Sequence, residues 1–284
     1  MSIAEAASAK VNLFLHVGER RADGFHPLQS LAVFTGAGDV LRADAASQLS
    51  LRIEGPFAAG LAAEGDNLVL RAARALAAEA STAAGAALTL AKNLPVASGI
   101  GGGSADAAAA LRALKALWRL EIGEAALAGI AAGLGSDVPV CVPSRAAFME
   151  GRGEMLTPVA VPRLHMLLVN PGVAVPTREV FAALQSRSGA AMALPKDGFA
   201  DVASLLQFLR ATRNDLEAPA KAIQPVIGAA LAALESLPDA LLARMSGSGA
   251  TCFALFPDER SCRRGADLLK AAQGGWWVAA TAAS

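Results

Sequence analysis

Residues 95–108 read Pro-Val-Ala-Ser-Gly-Ile-Gly-Gly-Gly-Ser-Ala-Asp-Ala-Ala, four glycines and two serines set directly ahead of an Ala/Leu run. The run is a strong helix former. Glycines, having no Cβ, let consecutive backbone N–H groups converge on an anion, and the start of the helix adds roughly half an elementary positive charge. The stretch is therefore expected to cradle phosphate between a strand and a helix. Two other glycine-bearing nucleotide loops fail on spacing. A P-loop requires Lys-Ser/Thr after its last glycine, whereas Ser104 and Ala105 follow Gly103. Counted from Gly99, the last glycine position of a Rossmann loop is held by Ser104, and no acidic residue follows at the ribose distance on a second strand. The bland alternative is a glycine-rich turn leading into a capped helix.

A length of 284 residues suits two domains, and 54% hydrophobic residues supply substantial cores. Much of that content is alanine, so the mean hydropathy of +0.42 does not imply a membrane protein. The Ala/Leu segments are interrupted by Arg and Lys or are shorter than a bilayer span. The first ten residues do not resemble a secretion signal. Twenty-five Lys and Arg balance twenty-five Asp and Glu, without the basic excess a nucleic-acid binder carries. Cys141, Cys252 and Cys262 form no Cys-x-x-Cys, so neither a disulfide framework nor a structural zinc site is expected. Expected is a cytoplasmic protein, monomer or weak homodimer, without nucleic-acid or membrane partners.

Along the chain, Val11–Val17 alternates as a strand, a polar turn spans Gly18 to Gly24, and Leu28–Val33 reads as a second strand. Asp66 or Asn67 can cap a helix to about Glu79, with Leu68, Val69, Ala72, Ala73 and Leu76 on one face. Ala87–Ala91 reads as the strand feeding the glycine loop. A second short helix is expected over Glu124–Gly133, followed by the apolar stretch Val138–Val142. A new strand begins at Arg163–Val169. The remainder reads helix, helix, helix, strand, loop, strand, helix, strand, with Leu241–Ser246 and Thr251–Phe256 flanking Gly247-Ser248-Gly249. Helix is expected over Asp258–Ala272 and extended chain over Trp276–Ala280. This pattern suits two α+β domains, 1–158 and 159–284, facing each other across a cleft.

Pro95 to Ala105 resembles the ATP signature of the GHMP kinases, the superfamily of galactokinase, homoserine kinase and mevalonate kinase. Ala9-Lys10-Val11-Asn12-Leu13-Phe14-Leu15 and Met245-Ser246-Gly247-Ser248-Gly249-Ala250-Thr251-Cys252-Phe253 resemble its first and third motifs in order and spacing. Residues 21–30, 134–139 and 170–177 are similar to the branch that phosphorylates the 2-hydroxyl of a CDP-linked methylerythritol in the non-mevalonate route to isoprenoids. The resemblance implies a two-domain GHMP kinase fold, with a ribosomal-protein-S5-like N-terminal domain and a ferredoxin-like C-terminal domain. It also implies ATP and Mg2+, the ion held mainly through phosphate oxygens since no acidic residue stands out as a metal ligand.

The same resemblance assigns roles residue by residue. Pro95, Val96, Ala97, Ser98, Gly99, Ile100, Gly101, Gly102, Gly103, Ser104 and Ala105 would bind ATP. Asp137 would act as general base, although an isolated Gly-Ser-Asp reads as a turn or helix cap. Lys10 would hold that carboxylate ionised and stabilise developing charge. Asn12, polar in an apolar strand, must hydrogen-bond something if buried, and the family suggests substrate or a catalytic side chain. Phe25 and His26 would read cytosine by stacking and by an imidazole hydrogen bond. Many members carry tyrosine where Phe25 stands, and this chain has no tyrosine at all. Phe181 would form a second aromatic wall, with Thr177 beside it, while core packing is the alternative for a Phe at that point of a helix. The Gly247-Ser248-Gly249 turn would approach ATP or serve as a plain strand-to-strand turn.

Overall fold

A computed structural model describes residues 2–19, 26–59, 61, 67–82, 84–184, 192–193, 195 and 198–284. The chain divides into two compact units whose segments alternate along the sequence. The first takes residues 1–9, 38–96 and 101–144, and the second takes 10–37, 97–100 and 145–284. Two long strands, β1 (Ser2–Val17) and β2 (Leu28–Ala46), therefore begin in one unit and end in the other. Both outrun the strands expected from the sequence. Gly36, Gly38 and Asp39 obscure the alternation in β2, yet Gly38 is a place of close approach: a Cβ there would lie 2.6 Å from the Ala7 carbonyl oxygen.

In the first unit, β4 (Gly85–Ala91) runs antiparallel to β2, from Val40 opposite Ala91 to Ala46 opposite Gly85. Strand β3 (Ser50–Glu54) lies parallel to β4 on its other side. The helix α1 (Leu68–Glu79) starts where expected: Asn67 is its N-cap, and its side chain accepts the Val69 N–H at 2.9 Å. Val69, Ala72, Ala73 and Leu76 are buried. Full burial of the larger two contributes about 1.5–3 kcal/mol each. That face packs on α2 (Gly102–Leu117), in which every residue from Ala105 to Leu111 is buried. Five of those seven residues are alanines, short enough to be covered on every side. Helices α3 (Glu124–Leu134) and α4 (Val138–Cys141) complete this unit, α4 being one turn formed by the apolar stretch after Asp137.

In the second unit, β7 (Leu164–Asn170) is central: it pairs antiparallel with β10 (Trp277–Ala283) on one side and β9 (Cys252–Phe256) on the other. Strand β8 (Leu242–Met245) closes the sheet beyond β9. The first part of β2 pairs with β5 (Ala147–Gly151), and β5 with β6 (Met155–Pro158), two short strands the sequence did not announce. Helices are α5 (Thr177–Ala182), α6 (Val202–Arg210), α7 (Glu217–Ile223), α8 (Val226–Glu235) and α9 (Glu259–Ala272). Among the described residues four helices precede β8, where the sequence reading expected three. Pro225, which lacks an N–H to continue α7, starts α8 instead and splits the run. Helix α9 buries Cys262, Gly265, Ala266 and Leu269, one face at helical spacing, and Asp258 caps it. Arg244 is buried and donates to the carbonyls of Leu13, Leu209 and Thr212, joining β8 to β1 and to the end of α6. Burial lowers its pKa to about 10, against the pull of Glu217.

Candidate active site

The glycine loop has the backbone its sequence requires. Ala97, Gly99 and Gly101 have φ of 51°, 75° and 63°, while Ser98 and Ile100 are not in the left-handed region. Such alternation turns N–H groups toward one side and makes an anion-binding concavity. Ala97 holds this conformation without being glycine, a cost of roughly 1–2 kcal/mol. Gly101 then caps α2 with no side-chain hydrogen bond, so the first N–H groups of the helix are left to other partners. Gly103 is exposed, and a Cβ there would meet nothing within 4 Å. Val96 is likewise exposed.

Residues 98–100 are seated on the turn between β8 and β9, all within the second unit. Thr251 N–H donates to the Ser98 carbonyl at 3.0 Å, the Ser246 hydroxyl to the Gly99 carbonyl at 3.0 Å, and Lys10 N–H to the Ile100 carbonyl at 2.9 Å. The carbonyl oxygens that would repel a phosphate are thereby engaged. Contact is too close for a side chain: a Cβ on Gly99 would stand 2.6 Å from the carbonyl oxygens of Gly249 and Ser246. The Gly247-Ser248-Gly249 turn is therefore a strand-to-strand connection that also braces the glycine loop. Buried Asn214 braces the turn in its own right, its amide donating to the Met245 and Gly247 carbonyls at 2.8 Å each. Asn170 donates to the Thr251 hydroxyl at 2.9 Å, and the hydroxyls of Thr177 and Ser248 lie 2.9 Å apart.

Lys10 and Asn12 sit in β1 and are only 3% exposed. The Asn12 amide donates to the Ser30 hydroxyl at 2.7 Å, which passes the bond on to the Phe14 carbonyl at 2.6 Å. Its backbone N–H donates to the Ser246 hydroxyl, and a Cβ on Gly247 would lie 3.5 Å from Asn12 Oδ1. Asp137 belongs to the first unit, half-buried at the N-cap position of α4 and making no side-chain capping bond there.

His26 donates from Nδ1 to the Gly18 carbonyl at 3.0 Å, which leaves Nε2 as the acceptor nitrogen of the neutral ring. Its ring stacks with Phe181, centroids 6.2 Å apart and planes 29° from parallel. Phe181 also packs on the core of the second unit. Phe25 lies outside the described residues.

Beneath the start of α2, within the first unit, stand three buried charges the sequence reading passed over. Lys92 donates to Asp106 at 2.8 Å and, at short range, to Asp39. Asp39 in turn accepts the N–H groups of Asn93 and Leu94, at 2.5 and 2.8 Å. Burial pushes the Asp106 carboxyl up to about 7, with Asp39 adding to the rise and Lys92 opposing it. Burial works against charge on Lys92, and the two carboxylates outweigh it, holding the ammonium above its ordinary pKa. The available signal was an aspartate inside an alanine run and a lysine ending an apolar strand.

Both units carry the marks of one enzyme class. The family model of the GHMP kinases N terminal domain matches residues 67–145, and that of the GHMP kinases C terminal domain matches 191–269. The fold is that of a GHMP kinase, a small-molecule phosphotransferase that draws its phosphoryl group from ATP. The chain is 52% identical to a 4-diphosphocytidyl-2-C-methyl-D-erythritol kinase of Rhodospirillum rubrum over 98% of its own length and 92% of that protein. It is 53% identical to one of Cereibacter sphaeroides over 96% of each chain. A crystal structure of 4-(cytidine 5'-diphospho)-2C-methyl-D-erythritol kinase superposes with a TM-score of 0.79 at 32% identity, covering 99% of this chain and 100% of that one. The chain belongs to the 4-diphosphocytidyl-2-C-methyl-D-erythritol kinase family. Among the described residues no helix is long and apolar enough to cross a membrane.

Proposed function

We propose that the protein transfers the γ-phosphoryl group of ATP to the 2-hydroxyl of 4-diphosphocytidyl-2-C-methyl-D-erythritol, giving the 2-phosphate, in the non-mevalonate supply of isoprenoid precursors. The observation that carries the substrate is the His26–Phe181 stack, in a chain that shares half its residues with relatives named for a cytidyl compound.

Residues 95–105 receive the triphosphate, with the concavity at 97–101, the first turn of α2 and the Ser104 hydroxyl as donors. Magnesium, when bound with the nucleotide, would be held through phosphate oxygens and would offset the charge of the phosphates. Asp137 takes the proton from the 2-hydroxyl as its oxygen attacks phosphorus, and Lys10 stabilises the charge that develops. His26 Nε2 accepts from the exocyclic amino group of cytosine, while Phe181 and Phe25 enclose the ring and Asn12 and Thr177 line the alcohol's path. The two family halves are taken as 1–158 and 159–284, and the protein works in the cytoplasm as a monomer or weak homodimer.

The test is ATP turnover on the cytidyl substrate against homoserine, mevalonate and the methylerythritol phosphate lacking CMP. Turnover confined to the cytidyl compound is expected. Turnover on another alcohol would leave the ATP loop standing and remove the cytosine pocket.

A further inference from the structure

The three charges under the glycine loop take no part in the reaction just described, yet their placement bears on it. Lys92, Asp39 and Asp106 are 3%, 1% and 4% exposed. They come from the end of β4, from β2 and from the second turn of α2, three elements that meet where the loop enters the helix. A Cβ built on Gly102 would lie 3.4 Å from Lys92 Nζ and 3.8 Å from Asp39 Oδ2, so the ammonium is set directly against the backbone of the loop. Asp106 reaches it through Oδ2 alone. Its Oδ1 is buried and has no hydrogen-bond partner.

An unpartnered buried carboxylate oxygen costs more when the carboxyl is ionised than when it is protonated. The charged groups facing Asp106 are Lys92 and Asp39. From the helices packed beside it, the charged residues of α1 (Arg71, Arg74 and Glu79) and Glu124 of α3 are exposed, and α4 has none. With both carboxyls ionised the cluster carries a net charge of −1; with Asp106 protonated it is neutral. A unit of negative charge several Å from bound phosphates, at an effective dielectric near 20, amounts to one or two powers of ten in affinity.

We propose that Asp106 is a positioning residue for the nucleotide: it seats the Lys92 ammonium beneath Gly102, and its own proton sets the net charge under the phosphate loop, so that nucleotide binding favours its protonated form. This rests on residues 95–105 being the ATP loop. By linkage, a bound nucleotide then raises the proton affinity of Asp106 by the factor by which its proton tightens binding. Burial, with the neighbouring Asp39, raises the Asp106 carboxyl above its ordinary range.

The test uses the full chain labelled with 13C at aspartate carboxyl carbons and titrated from pH 5 to 9 with and without ADP, with the amides of residues 101–104 followed in parallel. The Asp106 midpoint is expected to rise by about one pH unit on ADP binding, a tenfold linkage. In calorimetry, the ADP Kd of the wild type is expected to weaken about tenfold more between pH 6 and 8.5 than that of Asp106→Asn, which is neutral throughout. An ADP-induced shift of the 101–104 amides with an unmoved Asp106 midpoint, or superimposable Kd profiles, overturns the proposal while keeping the ATP loop. Amides that ignore ADP remove the loop assignment and the proposal with it. Should Asp106→Asn fail to fold, the wild-type carboxyl titration decides alone, its signal assigned through the Asp106 backbone.

Discussion

The hydroxyl of Ser246 donates to the Gly99 carbonyl at 3.0 Å and accepts the Asn12 N–H at 3.1 Å, so one side chain joins the three segments that resemble the motifs of the GHMP kinases. Replacing it strands a donor and an acceptor in a buried place, and unmade buried hydrogen bonds cost about 1–3 kcal/mol. Ser246→Ala is expected to lose that much stability in urea denaturation and to raise the KM for ATP more than that for the alcohol. An unchanged midpoint would mean that water replaces the hydroxyl.

Gly99 and Gly103 are expected to answer oppositely to the same change. Gly99→Ala forces a methyl group against two carbonyl oxygens at a left-handed backbone and should abolish measurable ATP binding. Gly103→Ala meets no neighbour and replaces a poor helix former, so stability should stay level or rise by up to about 1 kcal/mol. Equal damage from both in parallel calorimetry would contradict the packing described.

Asp137→Asn keeps shape and loses basicity. Turnover is expected to fall roughly 10²- to 10⁴-fold, with ATP and cytidyl-substrate affinities within a few-fold of the wild type. Retained turnover would remove Asp137 as the base.

The tautomer of His26 makes a sharper demand on the substrate than stacking does. With Nδ1 committed to the Gly18 carbonyl, Nε2 accepts, and cytosine offers an amino donor where uracil offers a carbonyl. The uridyl analogue should show kcat/KM lower by about tenfold or more, and His26→Ala should erase the difference. Equal use of both bases by the wild type would exclude this contact.

Acid and base should act on stability through Asp106 in an unusual direction. Its carboxyl ordinarily titrates at 3.8 and here near 7, so between those values the folded chain binds more protons than the unfolded one. Stability from this group is therefore complete below pH 3.8 and declines as pH rises toward 7, by at most about 1.4 kcal/mol per pH unit. Chemical denaturation across this range should show a slope that Asp106→Asn removes.

How much of this was legible depended on the range of the contacts. Helix α1 was readable because its cap and its face are local, and Asn67, Val69, Ala72, Ala73 and Leu76 do what their spacing says. The glycine loop was readable because positive φ demands glycine at Gly99 and Gly101. Strands β3, β5 and β6 were missed, having five residues or fewer and taking their order from neighbours. Ser246 and Asn214 were opaque as site supports for another reason. Their partners lie far away in sequence, and a lone polar residue does not say which carbonyl it will meet.

The alternation of segments between the two units sets a schedule for the growing chain. Every residue of the first unit has been made by Ser144, but the second waits for β10, which ends at Ala283 and lies beside β7. At translation rates of about 5–20 residues per second, the part of β2 at Thr35, which pairs with Ala283 of β10, stays without that neighbour for on the order of ten seconds. Open strand edges invite wrong partners over such an interval. Slowing the ribosome after codon 144 should therefore lower the yield of soluble enzyme, and trigger-type chaperones should matter most while those last 140 residues emerge.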